Sequence, residues 1–295
     1  MEQYRYTLDK SSKKFVCPTC SRKSFVKYFN YETDSYLTDD YGRCDRETNC
    51  GYHKAPSKGS KYFNNNLVNA IITRETPSKV TPSYHPIELL DKMYVENSQI
   101  DNLTEYLKSK FSNEEVFYAM QNYFIVGTNC TWNNSTAFWQ IDEHQKIHAC
   151  KIMLYDRNTG KRIKKPYNHI NWLHKAINVI DFNLCQCLFG LHRITEDIEK
   201  TIAIVESEKT AIVMSIFLPD YIWIATGSKQ NLKLDLLKPI KKRNIVLFPD
   251  KGEYLNWLKK ANELNTIGFK IAVSELIEQT DFKNGFDLAD YYFSL

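Results

Sequence analysis

Short apolar runs alternate with segments of helical periodicity from Thr201 onward, and this alternation constrains the fold more than any other feature of the 295-residue chain. The pattern predicts strands at 201–205, 221–225, 244–248 and 269–273, and helices at 208–217, 231–237 and 254–264. Nearly continuous apolar strands separated by helices are typical of a parallel sheet with right-handed crossovers. We therefore expect the last third of the chain to be an α/β domain.

Acidic residues follow the predicted strands of this domain. Glu206 comes directly after the first strand, Asp250 follows the third, and Asp287 and Asp290 lie near the end of the chain. Ligands bind outside the carboxyl ends of such strands, so these carboxylates are predicted to share Mg²⁺ or Mn²⁺. Lys209, one turn into the next helix, is expected to meet a phosphate there. Singly, these acids could merely favour helix N-termini, but their joint placement favours a metal site.

The chain contains eight cysteines, of which four are clustered before residue 51. Cys17 and Cys20 form a Cys-x2-Cys pair, which places two thiolates on one knuckle and suits half of a tetrahedral zinc site. Cys44, Cys50 and His53 compete for the other two places. We favour the four cysteines, with His53 as the replacement for Cys44. A module with so few aliphatic residues needs such a structural metal for stability.

The remaining side chains of catalytic type give no coherent site. Four cysteines have unsuitable spacing and are interpreted as core residues: Cys130, Cys150, Cys185 and Cys187. Four scattered histidines are expected in core or surface positions: His148, His169, His174 and His192. The sequence has no phosphate-binding Gly-x-x-x-x-Gly-Lys-[Ser/Thr] loop, no Gly-x-Ser-x-Gly and no His-Glu-x-x-His, so it contains no fused ATP-driven helicase, and the commonest hydrolase and zinc-protease motifs are absent.

Charge is unevenly distributed along the chain. Lys and Arg outnumber Asp and Glu by only 39 to 35, but residues 145–175 contain eight basic side chains and one acid. A basic patch of this kind meets phosphates. We expect five of its residues to bind nucleic acid or nucleotides: Lys151, Lys161, Arg162, Lys164 and Lys165. The alternative is a solvated hairpin that only aids solubility.

The middle of the chain is predicted to be a small α+β region. Apolar spacing over 87–123 predicts short helices, and Ser112 with Glu115 resembles a capped helix N-terminus. Aromatic and branched residues at 137–142 and 146–155 predict antiparallel strands. The basic residues lie on and beside this hairpin.

The predicted organisation has four segments: a zinc-ribbon module at 1–61, a linker at 62–86, the α+β basic region at 87–199 and the parallel-sheet domain at 200–295. The linker is indicated by its Asn, Pro, Ser and Thr clusters. No apolar run approaches the roughly 18 residues that cross a bilayer, and no secretory signal is evident. We therefore expect a cytoplasmic protein without a membrane partner.

Three motifs of the last domain resemble those of the toprim domain, a Rossmann-like parallel-sheet fold. Residues 204–211 resemble the first motif, in which a strand ends in a catalytic or metal-binding glutamate. Residues 246–252 resemble the second motif, and residues 285–291 resemble the terminal acidic motif of primase toprim domains. One departure is clear: toprim enzymes normally carry Asp-x-Asp in the second motif, whereas Asp250 is followed by Lys251 and Gly252. Glu253 is the nearest substitute.

A zinc ribbon ahead of a basic region and a toprim domain is the order found in DnaG-type and phage primases. With the segments 138–142, 151–162 and 187–190, the chain looks like a family of toprim-bearing, primase-like proteins of bacterial mobile elements and phages. The resemblance covers nearly the whole chain. It implies a nucleotidyltransferase in which the ribbon engages single-stranded DNA, and Glu206 and Asp250 are catalytic with Mg²⁺ or Mn²⁺.

The resemblance also implies nucleotides as substrates and a separate replicative helicase as a partner for unwinding. Two alternatives remain open. One is a catalytically degenerate toprim and zinc-ribbon protein that binds nucleic acid in the replication or mobilisation of a mobile element, which the missing aspartate favours. The other is a nuclease that uses the same metal to activate water.

Overall fold

The computed structural model describes residues 6–9, 11, 13–30, 33–38, 40–46, 50–56, 81–96 and 101–295. The chain forms two compact units, 1–76 and 77–295. Most of the predicted linker at 62–86 lies outside the described residues, and its end at 81–86 lacks helix or strand except for a bridge from His85 to Ile147.

The first unit is an antiparallel sheet, as a zinc ribbon requires. Its strands are β1 (Tyr6–Leu8), β2 (Phe15–Val16), β3 (Lys23–Asn30), β4 (Ser35–Tyr36), β5 (Gly42–Cys44) and β6 (His53–Lys54). The long β3 pairs with β1, β2, β4 and β5, and β6 pairs with β5. The buried cluster among its described residues consists of Cys17, Phe25 and Cys44, so the cysteines themselves supply much of the core.

The second unit begins with three helices, as the apolar spacing predicts: α1 (Ile87–Glu96), α2 (Asn102–Lys108) and α3 (Asn113–Asn122). The predicted cap at the N-terminus of α3 is present. The Ser112 hydroxyl accepts a hydrogen bond from the Glu115 backbone, and the Glu115 carboxylate accepts one from the Ser112 backbone. The Asp101 carboxylate caps α2 by accepting bonds from the backbone of Leu103 and Thr104. These caps fix where the helices begin.

An antiparallel sheet follows, in the order β10-β9-β8-β7. Its strands are β7 (Val126–Thr128), β8 (Ser135–Ile141), β9 (Ile147–Met153) and β10 (Ile170–Trp172), and the short helix α4 (Leu173–Ala176) ends it. The predicted hairpin is therefore confirmed as β8 and β9. Every residue of β8 is buried, because other elements cover both faces of the strand.

The last third folds into the predicted parallel sheet, with strand order β12-β11-β13-β14 and parallel pairing throughout. Its elements are β11 (Ile202–Val205), α5 (Glu208–Phe217), β12 (Ile222–Ala225), α6 (Leu234–Leu237), β13 (Asn244–Leu247), α7 (Tyr254–Asn265), β14 (Lys270–Val273) and α8 (Leu288–Ser294). The helix predicted at 231–237 is broken. Lys233 is extended, at ψ 146, so a 3-10 turn ends before it and α6 begins after it.

One buried core joins the two sheets of the second unit. It includes Tyr123 and Phe189 from before residue 200, and Val205, Trp223 and Ala225 from after it. The Tyr123 hydroxyl donates to the Trp223 carbonyl at 2.7 Å, and Phe189 and Ala225 exchange backbone hydrogen bonds. The basic region and the parallel sheet therefore belong to one compact unit.

The fold class is thus mixed α/β, with an N-terminal ribbon and a C-terminal parallel sheet, as the sequence predicts. Among the helices of the described residues, none has both the length and the apolar character needed to cross a membrane.

Candidate functional site

Four cysteine thiols of the first unit lie together. Their Sγ atoms are all within 4.8 Å of one another, with 3.6 Å between Cys17 and Cys50 and 3.9 Å between Cys20 and Cys44. Zn–S bonds of about 2.3 Å in a tetrahedral site place the sulfur atoms about 3.8 Å apart. The donor set therefore fits a structural zinc ion.

The first pair of thiols is held by a tight knuckle. The Cys17 N–H donates to the Arg22 carbonyl at 2.8 Å, and Ser21 turns the chain with a positive φ of 54°. A hydrogen bond from the Arg22 backbone, together with hydrogen bonds from the three neighbouring thiols, lowers the pKa of the Cys20 thiol to about 6. This favours the thiolate, which is the form that binds metal.

His53 stands apart from this cluster. It is exposed on β6, and its Nε2 atom lies 3.0 Å from the Tyr28 hydroxyl. Cys44 is buried at the end of β5 among the other thiols. The structure therefore brings together the favoured set with Cys44 and leaves the reserve ligand outside it.

The parallel sheet positions the acidic rim, by which we mean Glu206, Asp250, Asp287 and Asp290. Glu206 follows β11 directly, and Asp250 lies three residues beyond the end of β13. Because β11 and β13 are paired neighbours, their carboxyl ends meet at the same edge of the sheet. Asp287 is the N-cap of α8, the helix that closes this edge.

The charges of the acidic rim act on one another. Burial raises the pKa of Asp250 to about 8, with further contributions from the negative charges of Glu206, Asp287 and Asp290. Burial also raises the pKa of Glu206, while the Lys229 ammonium opposes this shift. Burial, which is the larger cause, and the neighbouring negative charges both favour the protonated form of the Asp250 carboxyl group.

The α8 end of the rim is built on hydrogen bonds. The Asp287 carboxylate accepts from the Thr210 hydroxyl at 2.7 Å and from the Asp290 backbone at 2.8 Å. Lys209 Nζ lies 4.0 Å from Asp290 Oδ1. Burial and Asp287 raise the pKa of Asp290, whereas Lys209 and Lys161 lower it. Lys161 of the basic hairpin is therefore close enough to act on the rim.

Within the described residues, the four cysteines form the only group of three or more side chains whose ligand atoms converge on one point. The carboxylates of the acidic rim are neighbours without converging in this way. Mg²⁺ is commonly held by one or two carboxylates together with waters and phosphate oxygens. The carboxylate oxygens of the rim are therefore donors of the kind that Mg²⁺ and Mn²⁺ take.

The backbone at residue 252 favours glycine. Gly252 has a φ of +88°, a conformation that side-chain-bearing residues rarely adopt. A Cβ atom there would approach the Asn284 side chain to 3.1 Å. The Gly252 N–H donates to the Glu278 carboxylate at 2.9 Å, which holds the turn in place.

The charged residues on either side of Gly252 are both held by other contacts. Lys251 donates its ammonium to the carbonyls of Glu278 and Thr280, both at 2.6 Å, so its charge is tied to that loop. Glu253 pairs with Lys229 at 2.7 Å, which lowers the pKa of Glu253. Its negative charge is therefore largely compensated.

The basic residues separate into two groups. Lys151 is only 7% exposed, and its ammonium contacts the Glu208 carboxylate at 2.5 Å and the Gly227 carbonyl at 3.1 Å. It therefore links the hairpin to α5 and does not offer its charge to solvent. Lys161, Lys164 and Lys165 are exposed, while Arg162 is half-buried beside Tyr155.

The structure corrects two cysteine assignments. Cys150 and Cys187 are buried as predicted, but Cys130 and Cys185 are exposed. Both lie in segments without helix or strand, where apolar neighbours in sequence do not imply a buried position.

The four histidines interpreted as core or surface residues are paired or buried. His148 lies 2.8 Å from the Asp142 carboxylate, and His169, His174 and His192 are buried.

Sequence reasoning missed Lys229, which follows the end of β12 and belongs to the same edge of the sheet as Glu206. The strand-end rule used for the acids could have identified it.

Two family models match the chain. One, described as "Domain of unknown function (DUF6371)", matches residues 101–251, and the other, described as a zinc beta-ribbon finger, matches residues 4–67. The second match confirms the predicted zinc ribbon. No curated protein matches the chain.

Several solved primase structures are distantly similar. The DnaG catalytic core is 10% identical over 70% of this chain and 75% of that chain, with a TM-score of 0.47. The primase fragment of the bacteriophage T7 primase-helicase protein is 14% identical over 95% and 94%, with a TM-score of 0.43. The RNA polymerase domain of Mycobacterium tuberculosis primase DnaG is 14% identical over 66% and 63%, with a TM-score of 0.38, so less than two thirds of that domain is covered. No activity follows from similarity at this level.

Proposed function

This chain belongs to the family described as a domain of unknown function, DUF6371, and we propose that it is a primase-like nucleotidyltransferase acting on single-stranded DNA. The zinc ribbon would engage the template, and the acidic rim would carry out synthesis of short primers from nucleotides. A separate helicase would supply the unwinding that replication of a mobile element or phage requires.

The observation that carries the proposal is the environment of Asp250. It follows β13, the neighbour of the strand β11 that precedes Glu206, and its pKa is raised to about 8 by burial and by the surrounding acids. A divalent cation bound by Glu206 and Asp250 would compensate the negative charge of these carboxylates, neutralise nucleotide phosphates and favour deprotonation of an attacking 3′-hydroxyl. Lys209 and Lys161, which both act on Asp290, are suited to hold phosphate groups.

The test is de novo synthesis by the purified full chain. It would be incubated with single-stranded DNA, labelled nucleotides and Mg²⁺ or Mn²⁺, and short products would be separated by gel. Glu206→Gln and Asp250→Asn should each abolish product formation. Asp235→Asn is the matched control, because that carboxylate is 84% exposed on α6 and pairs only with the nearby Lys238 in the described part of the chain.

One outcome would reject the assigned catalytic residues, and another would reject the function itself. Synthesis that survives both substitutions would remove the acidic rim from catalysis. Loss of the labelled template strand without new product would favour the nuclease that uses the same residues.

A second candidate, a nucleic-acid-binding protein without catalysis, is favoured by the turn at Gly252. The toprim motif has an aspartate at this place, but the positive φ and the nearby Asn284 favour glycine. The absence of both synthesis and Mn²⁺ binding at millimolar Mn²⁺, together with retained DNA binding, would select this candidate.

A further inference from the structure

An aromatic ledge, by which we mean Trp132, Tyr167 and His169, lies beside the exposed lysines of the basic region. The Tyr167 and His169 rings are stacked, with centroids 4.5 Å apart and an interplanar angle of 17°. The Trp132 indole N–H donates to the Tyr167 hydroxyl at 3.4 Å. These contacts fix the orientation of the Tyr167 ring.

The ledge combines a buried support with an exposed ring. His169 is buried, whereas Tyr167 is 56% exposed. Because His169 covers one face of the tyrosine, the exposed area offers a flat aromatic surface whose position is already set. Such a ring can bind a planar ligand with little loss of conformational freedom.

The loop at 163–169 places positive charge next to this ring. Its ends are joined by a hydrogen bond from the His169 N–H to the Ile163 carbonyl at 3.1 Å, and the Ile163 N–H donates to the carbonyl of Leu154, the residue after β9, at 2.9 Å. Lys164 and Lys165 are exposed within this closed loop, and no acid in the described part of the chain forms an ion pair with either of them.

We propose that Tyr167 stacks against a base of single-stranded DNA while Lys164 and Lys165 contact the phosphates beside that base. Proteins that bind single strands combine aromatic stacking with a basic surface in this way. A base inside a duplex has both faces covered, so along a DNA strand it is the unpaired bases that can add to the Tyr167–His169 stack. The subsite rests on the nucleic-acid binding in the proposed function and adds a base-stacking position to it.

The test compares affinities of the full chain for a 2-aminopurine-labelled single-stranded oligonucleotide. Tyr167→Ala should weaken binding about 5- to 150-fold, the range expected for the loss of one stacked base. Tyr167→Phe keeps the ring and should change affinity less than twofold. Tyr118→Ala is the matched control, because Tyr118 is 54% exposed on α3, away from the basic loop in sequence.

Salt dependence distinguishes stacking from charge. Tyr167→Ala should leave the slope of log affinity against log salt unchanged, because a phenol neutralises no phosphate. The fluorescence of 2-aminopurine should fall on binding to the wild-type protein and fall less with Tyr167→Ala.

Separate results would overturn the two proposals. Single-stranded DNA binding that is unchanged in Tyr167→Ala would refute the stacking subsite and leave the proposed function standing. No single-stranded DNA binding by the wild-type protein would refute both. Equal weakening by Tyr167→Ala and Tyr118→Ala would also refute the subsite, since it would reflect a general loss of surface.

Discussion

Replacing Asp250 by asparagine should stabilise the second unit at high pH in buffer freed of Mg²⁺ and Mn²⁺. The pKa of Asp250 is raised from 3.8 to about 8 in the folded chain, so the folded state binds this proton more tightly than the unfolded state. Stability from this group is therefore greatest at low pH and is lost as the pH rises through about 8. Asparagine has no proton to lose and resembles the protonated carboxyl group.

The size of the stability change follows from the pKa shift of Asp250. One pKa unit corresponds to about 1.4 kcal/mol, so between pH 5 and 7.5 the variant should gain about 3.5 kcal/mol relative to the wild type. At about 2–4 °C per kcal/mol, the melting temperatures should separate by about 7–14 °C over this interval. His85, whose pKa burial lowers to about 4, destabilises both proteins below pH 6.5 and cancels in the comparison.

Tryptophan fluorescence is a suitable assay, because all five tryptophans lie between residues 132 and 257 and so report on the second unit alone. Urea unfolding at several pH values gives the free energy of unfolding for each protein. Millimolar Mn²⁺ at pH 8 should stabilise the wild type and have much less effect on Asp250→Asn. The control Asp235→Asn, at an exposed site, should parallel the wild type above pH 5.

Parallel stability curves for Asp250→Asn and the wild type between pH 5 and 7.5 would show that Asp250 is ionised in the folded chain. The raised pKa of Asp250, and the metal site inferred from it at the acidic rim, would then be wrong. A stability difference between the two proteins that grows with pH but does not respond to Mn²⁺ would support the raised pKa of Asp250 and argue against metal binding there.

Three further predictions follow from the other sites. The chain should contain one zinc per molecule by elemental analysis; Cys44→Ser should lose it and His53→Ala should keep it, and full zinc in the first variant would reject the four-cysteine site. The double variant Lys164→Ala with Lys165→Ala should reduce the salt slope of single-stranded DNA binding by about 1.4, and an unchanged slope would support the role in solubility alone. Lys151→Ala should lower the free energy of unfolding by about 3–5 kcal/mol, because its buried carboxylate partner loses its counter-charge, while the salt slope stays the same; a small stability loss with a reduced slope would contradict this.

The sequence was sufficient for the elements whose signals are local. Helix α5 occupies the predicted residues 208–217, because Ser207 caps it and its apolar side chains continue to its end. The placement of Glu206 and Asp250 at the same edge of the sheet also follows from the alternation of strands and helices, which predicts parallel strands, whereas the pairing of their strands β11 and β13 is a finding of the structure. By contrast, the extended conformation of Lys233 that breaks the next helix has no comparable signal in its neighbours.

The errors concern contacts between distant parts of the chain. Lys151 lies in a basic segment of the kind that binds phosphates. Its partner Glu208 is 57 residues away, however, and the pair forms only because the two sheets share a core. The stacking proposed for Tyr167 has no signal in the sequence, because the ring is placed by His169 and by Trp132, which is 35 residues away. Charge and aromatic content identify candidate residues, but the tertiary fold decides which of them reach solvent.

The core shared across residue 200 has a practical consequence for dissecting the protein. A fragment that starts there would expose Val205 and Trp223, which are fully buried in the intact unit, and would lose the Tyr123 hydroxyl that bonds to the Trp223 carbonyl. Its edge strand β12 would also lose the backbone partner that Phe189 provides, which leaves it open to pairing with another chain. Expression of the parallel sheet alone should therefore give aggregates, and the shortest useful truncation begins near residue 77, where the second compact unit begins.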